Sequence, residues 1–278
     1  MKHLDWNLDT PEGNLAADEV LLDWCERRAE QGEALELLRF WMSDRPFIVV
    51  GYGQRVEHEV HLDACKQLGV PVLRRCTGGG AVLQGPGCLN YALILRLDAH
   101  GPTRSVRTTN SFVLERHRQA LSKLLHSICE PISLRGETDL ALGNRKFSGN
   151  AQRRRRRYLL FHGTFLLQLP LELMTAVLPI PSRQPDYRQG RSHAEFLTAL
   201  PLRSDQVRQA LIEAWNAFEA APPPPISWVE QLIQSKYGRP EWILHPPGGG
   251  DPTMCDRGPF QLSTQGSSGL TSPFSGPR

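Results

Sequence analysis

Two short stretches hold residue types that could do chemistry: "RRCTGGGAVLQGPG" from Arg74 to Gly87 and "GNRKFSGNAQ" from Gly143 to Gln152. In the first, two arginines run into three glycines. Consecutive glycines are costly in regular structure, because each surrenders more backbone freedom than any other residue. Bare backbone suits an anion held by successive amide N–H groups, with Arg74 and Arg75 at the mouth. An irregular hairpin turn is the other reading. The string is neither a GxxxxGK[ST] phosphate loop nor a dinucleotide fingerprint, since a strand rather than a helix follows. In the second stretch, a period of two puts Lys146, Ser148, Asn150 and Gln152 on one face, with Phe147, Gly149 and Ala151 on the other. One lysine on a polar face fits a strand lining a ligand site. A solvated sheet face fits it too.

Other groups are weaker. Leu160, His162 and Thr164 share a strand face, which brings His162 towards Ser148 if the strands pair. A Ser148–His162–Asp139 triad lacks the sharp turn that exposes a serine nucleophile. The run Arg153 to Arg157 reads as a solvated charged connection between strands, ahead of a docking patch for an acidic protein and ahead of nucleic acid, because no aromatic residues interleave to stack bases. His58, Glu59 and His61 could hold a metal, but a plain surface helix explains them better. The six cysteines, at 25, 65, 76, 88, 129 and 255, form no CxxC pair and suggest neither a zinc site nor a thioredoxin-like one.

The elements that must position these residues follow from periodicity. Helices are expected over 14–30, 59–69 and 108–128, the last with a stripe of Phe112, Leu114, Leu121, Leu124, Leu125 and Ile128. Strands are expected in "ALELLRFWMS", "PFIVVGYGQ", "VPVLRR", "AVLQ", "CLNYALILRL", "TDLALGNRKFSGNAQ" and "YLLFHGTFLLQL". Helices follow around 204–220 and 227–238. The order predicts an α+β (mixed α/β) fold, a mixed sheet flanked by helices. Residues 245–278 are rich in Gly, Pro, Ser and Thr and read as a disordered tail after a domain over 1–244.

Composition narrows the class. The 278-residue chain is 40% hydrophobic and 22% charged, with a net charge of +3, too mild to argue for nucleic acid. No apolar run is long enough to span a membrane, and the N-terminus lacks signal-peptide order. A cytoplasmic protein with no membrane or nucleic-acid partner is expected.

Together "RRCTGGGAV", "GPGCLNYALIL", "GNRKFSGNAQ" and "FHGTFLL", with "GYGQ" at 51–54 and "YRQGRSHAEFL" at 187–197, resemble the lipoate–protein ligase family of the biotin and lipoate ligase superfamily. The resemblance covers roughly residues 10–245. It implies a class II biotin/lipoate ligase-like catalytic domain that joins lipoate (or octanoate) and ATP, with Mg²⁺ assisting, into an acyl-AMP. The acyl group then passes to a lysine of a lipoyl carrier domain, from a 2-oxoacid dehydrogenase complex or the glycine cleavage H protein. It implies that Lys146 is the catalytic lysine and that Arg74, Gly79, Gly80, Ala81, Val82, Lys146, Ser148, Gly149 and His162 border the adenylate, with no resident metal ligands in the protein. Octanoyl- and lipoyl-transferases of the same superfamily use a cysteine thioester instead. The nearest candidate is Cys129, whereas "GETDLALGNRK" looks like the ligase version and Cys76 occupies a position that is commonly small or polar. Many stand-alone ligases carry a further C-terminal domain. Its place here is taken by the tail, so adenylation proceeds without it, or with a separate accessory subunit, or the chain only transfers.

Overall fold

The computed structural model describes residues 1–125 and 130–246. The 245–278 tail, apart from its first two residues, and the Cys129 candidate lie outside that range. Eight strands form a mixed sheet in the order β11-β1-β2-β6-β10-β9-β8-β7. They are β1 (Lys2–Asp5), β2 (Leu37–Trp41), β6 (Cys88–Arg96), β7 (Ile132–Arg135), β8 (Asp139–Leu142), β9 (Arg145–Arg154), β10 (Tyr158–Leu166) and β11 (Glu219–Ala220). Three more strands, β3 (Phe47–Val50), β4 (Val72–Arg74) and β5 (Val82–Gln84), make a small separate sheet. The α+β expectation holds.

One face of the large sheet packs on α4 (Val106–Leu125) and α7 (Ser204–Ala214), burying Leu93, Leu114, Leu121, Phe161 and Phe165. Each such side chain contributes roughly 1.5–3 kcal/mol by leaving water. The other face meets α1 (Pro11–Glu30), which is itself covered by α8 (Ile226–Leu232). Thr10 caps α1 by accepting from the Gly13 amide, Pro11 opens it, and Arg27 and Arg28 close it against the dipole. Because α1 lies between two layers, it buries Asn14, Asp18 and Glu19 as well as its leucines. The small sheet packs on α2 (Val56–Glu59), α3 (Leu62–Leu68) and α5 (Leu171–Val177).

Several expectations change. "TDLALGNRKFSGNAQ" is a hairpin, not one strand: β8 and β9 are joined by Gly143 and Asn144, with Gly143 at φ +56, where a II′ turn takes glycine. The 59–69 helix breaks at Val60, between α2 and α3. The glycine triplet is not a hairpin turn. Strands β4 and β5 flank β3 on opposite sides, parallel and antiparallel to it, so Arg75–Ala81 must arch over the end of β3. That crossing is close enough that a Cβ on Gly51 would strike the Gly79 carbonyl. The loop therefore belongs to the small sheet, not to β6.

Candidate active site

A cleft of about 300 Å³ opens between the glycine loop, the face of the large sheet nearest α1, and the segment 178–197. Gly79, Gly80, Ala81, Val82, Lys146, Gly149 and His162 all line it. Three readings of the sequence fail here, each for a local reason.

Strand β9 carries a bulge. Leu140 pairs with Ser148 but Ala141 pairs with Lys146, leaving Phe147 extra. The bulge shifts the alternation by one. Lys146 joins the face of Gly149, whose missing Cβ clears the space taken by the lysine Cε and Nζ. Gln152 instead turns to α4, donating to Asn110 and to the Val106 carbonyl. Ser148 is fully buried, accepts weakly from Asn150, and does not border the cleft. The Ser148–His162–Asp139 triad is not assembled: Ser148 pairs with Phe165 and His162 with Ala151, on opposite faces.

Arg74 is not at the mouth. It is fully buried and donates to the carbonyls of Gly51, Tyr52, Gln54, Trp242 and Ile243. It clamps the C-terminal helix α9 (Pro240–Leu244) to the turn after β3, and Trp242 donates back to the Arg74 carbonyl. Arg75 is the arginine that lines the cleft. Its guanidinium holds the carbonyls of Gly78 and Gly80. With those carbonyls turned to Arg75, the amides of Gly78, Gly79 and Gly80 donate to no group among the described residues. Burial lowers Arg75 to about 10, so it remains a cation at neutral pH.

The arginine run is not solvated. Arg153 donates to the Cys76 carbonyl and stacks over Tyr52, Arg154 donates to the Thr103 carbonyl, and Arg155 pairs with Glu19 and Asp23. Against the burial that would raise it, Lys236 and Arg153 hold the Glu19 carboxyl below its usual range. The run ties the β9–β10 connection to α1 and the C-terminal segment. His58, Glu59 and His61 form no site: among the described residues no group of three metal-ligating side chains comes together.

Lys146 Nζ lies 2.8 Å from Asp139 Oδ1, and the Tyr187 hydroxyl donates to Asp139 Oδ2 at 2.8 Å. Burial, then the neighbouring carboxylate, pushes the Tyr187 phenol far up, keeping it a donor. His162 uses both ring nitrogens, Nδ1 with Asp18 at 3.0 Å and Nε2 with Thr77 Oγ1 at 2.6 Å. It pins the start of the glycine loop to α1. Arg188 is 4% exposed, stacks on Phe196 and donates to the Arg191 carbonyl and His193, with no carboxylate partner among the described residues. Sequence reasoning missed Asp18, Thr77 and Arg188 as site residues. Arg188 lies in the recognised "YRQGRSHAEFL", while Asp18 sits in a helix that looks ordinary.

Lys146 thus shares the cleft with Arg75 and with glycine amides that have no partner among the described residues. The lipoyl protein ligase A/B catalytic domain matches residues 10–215. The chain belongs to this family. Lipoate-protein ligase A subunit 1 of Thermoplasma acidophilum is 30% identical over 256 residues, covering 85% of this chain and 94% of the relative. Octanoyltransferase LipM of Geobacillus kaustophilus is 27% identical over 274 residues, covering 87% and 96%. Among solved structures, the bipartite lipoate protein ligase of Thermoplasma acidophilum, described with its E2 lipoyl domain, aligns at a TM-score of 0.73, 25% identity, 87% of this chain and 95% of that one. A lipoate-protein ligase A bound with ATP aligns at 0.69 and 26%, over 87% and 98%. The relatives thus carry two kinds of name, lipoate-protein ligase and octanoyltransferase. No helix of the described residues is long and apolar enough to cross a membrane.

Proposed function

We propose that this chain is a lipoate–protein ligase that activates lipoate or octanoate with ATP and transfers the acyl group to a lysine of a lipoyl domain. The observation that carries the reading is the chemistry of the cleft head: Lys146 and Arg75 beside free glycine amides. Adenylation needs charge neutralisation and positioning rather than a nucleophilic side chain. The substrate carboxylate attacks the α-phosphorus, the bond to the β-phosphate oxygen breaks, and diphosphate leaves with the electron pair. Lys146 offsets the charge on carboxylate and phosphate. In transfer it stabilises the oxyanion formed when the carrier lysine attacks the acyl carbonyl and AMP leaves. Mg²⁺ would neutralise phosphate charge; Glu137 and Asp139, which line the cleft, suit an ion that arrives on the nucleotide with one or two carboxylate ligands.

The thioester alternative rests on the LipM relatives and on Cys129. The deciding experiment offers an apo lipoyl domain either lipoate with ATP or octanoyl-acyl carrier protein, and weighs the domain afterwards. Mass gain with lipoate and ATP, undiminished in Cys129→Ser, is expected. Gain only from the carrier-protein donor, lost in Cys129→Ser with an acyl-thioester in the wild type, would reverse the assignment. The same mixture with and without an added accessory subunit tests whether adenylation needs a second chain. H protein and dehydrogenase lipoyl domains are the acceptors to compare.

A further inference from the structure

The glycine loop has little of its own to hold its shape. A Cβ on Gly78 or Gly80 would meet nothing within 4 Å, so the loop is unsupported on those sides. Glycines also have the most backbone freedom to lose. The loop amides serve an anion well only if they are aimed before it arrives. What aims them is Arg75, whose guanidinium takes the Gly78 carbonyl at 2.6 Å and the Gly80 carbonyl at 3.0 Å. Arg75 itself has no carboxylate partner among the described residues.

Its anchor is a buried chain of hydrogen bonds that ends on α1. Arg75 Nε donates to Thr77 Oγ1 at 3.1 Å. Thr77 Oγ1 lies 2.6 Å from His162 Nε2, and His162 Nδ1 lies 3.0 Å from Asp18 Oδ2. Arg39 donates to the other oxygen of Asp18 at 2.6 Å. Thr77 and Asp18 are each 1% exposed and Arg39 is 0% exposed, so water does not compete for these groups. The donor directions follow from the chemistry of each group. The Asp18 carboxylate, held by Arg39, only accepts, so His162 carries a proton on Nδ1. In the neutral ring Nε2 is then the acceptor, and the Thr77 hydroxyl donates to it. A lone pair of Thr77 Oγ1 is left for Arg75. Each group from Arg75 to Asp18 therefore donates to the next, and bonds in such a chain strengthen one another.

We propose that Asp18 and Thr77 are positioning residues which, through His162, orient Arg75 and so hold the glycine amides ready for the anion that binds in the cleft. The inference rests on the reading that the cleft head holds a phosphate or an acyl oxyanion, and not on the choice of acyl donor. Three hydrogen bonds separate the Asp18 carboxylate from the Arg75 guanidinium, so Asp18 does this without touching the substrate. Losing one hydrogen bond to a charged group costs about tenfold in binding. Loop amides grip a phosphate in the ground state and in the transition state alike, so the loss belongs in KM rather than kcat.

The test is a double-mutant cycle on ATP-dependent lipoyl transfer to an apo lipoyl domain. It uses Thr77→Val, Thr77→Ser, Arg75→Met, and Thr77→Val combined with Arg75→Met. Thr77→Val keeps the shape and removes the hydroxyl. It should raise KM for ATP about tenfold and leave kcat within about threefold. Thr77→Ser should bring KM back to within about threefold of wild type. The double variant should match Arg75→Met alone to within about threefold, because both substitutions break one chain. Leu121→Ala, a cut in the core on the other face of the sheet, controls for lost stability: it should lower Tm and leave KM unmoved. Effects of Thr77 and Arg75 that multiply, a Thr77→Val with wild-type KM, a Thr77→Ser that does not recover, or a KM raised as much by Leu121→Ala each overturn the proposal. Nitrogen-15 spectra of histidine-labelled protein near pH 8, with His162 assigned by its loss in His162→Gln, read the chain without any activity. A proton on Nδ1 and an accepting Nε2 are expected, and a protonated Nε2 overturns the proposal. If ATP supports no transfer, the ligase reading has failed separately, and the cycle is read in kcat/KM for transfer from octanoyl-acyl carrier protein. Should Thr77→Val not fold, Asp18→Asn takes its place in the cycle with the same expectation.

Discussion

Replacing Lys146 with alanine separates chemistry from folding. The lysine side chain is 25% exposed and its partner Asp139 only 6%. Deleting one partner of a buried ion pair costs about 3–5 kcal/mol when the remaining charge is stranded. Asp139 is not stranded, since the Tyr187 hydroxyl still donates to Oδ2 and the cleft admits water. The loss should be nearer 1–2 kcal/mol, a fall in Tm of about 2–8 °C for a chain of this size. Removal of a preorganised charge donor from the reacting carbonyl costs about 10²–10³ in rate. Unfolding cannot mimic that, because 1–2 kcal/mol leaves a domain of ordinary stability almost wholly folded at 25 °C. The assay is lipoyl transfer to an apo lipoyl domain by mass, beside thermal unfolding of the same preparation. A folded Lys146→Ala within threefold of wild type would refute the role given to the lysine. A fall of more than about 15 °C would refute the view that Asp139 keeps adequate partners.

Arg74→Met should do the opposite. Five backbone carbonyls lose their shared donor, which costs about 2–4 kcal/mol, while Arg75→Met should chiefly raise KM for the nucleotide. Thermal unfolding beside steady-state kinetics tells the two arginines apart, and an Arg74→Met that keeps its Tm but loses nucleotide binding would reinstate Arg74 as a ligand. His117 is buried and its ring is pulled down to about 3 by burial, whereas an unfolded histidine titrates near 6.5. Since the unfolded chain binds the extra proton between those values, this contribution is complete above pH 6.5 and is lost as pH falls towards 3. About 2 kcal/mol should disappear between pH 7 and pH 5, and His117→Gln, which cannot titrate, should flatten that limb in denaturant titrations. Cys25, Cys65, Cys76 and Cys88 are all buried free thiols, so native protein should leave these four unmodified by a thiol-specific disulfide reagent until denaturant is added. Rapid native labelling at any of them, mapped by peptide mass, contradicts the packing.

Part of the cleft was legible in the residue types. Three glycines shortly after two arginines ask for bare backbone, a local requirement of conformation, whereas a plain period of two puts Gly149 on the face opposite Lys146 and only the bulge brings it beside the amine. Helix α4 was legible too, since its apolar spacing has one solution. What a linear period could not carry was the extra residue at Phe147, because a bulge is decided by how β8 and β9 pair and not by either strand alone. That single insertion moves Lys146 into the cleft and sends Ser148 and Gln152 the other way. Nor could adjacency in the chain tell Arg74 from Arg75: neighbouring residues on a strand point to opposite sides, and only the C-terminal helix, arriving more than 160 residues later, uses the first for packing and leaves the second to the cleft. The sequence on its own determined the kinds of group available and the elements that hold them. Which side of each strand faces the substrate was decided by tertiary pairing, because a shift of one residue in register exchanges every side chain between the two faces.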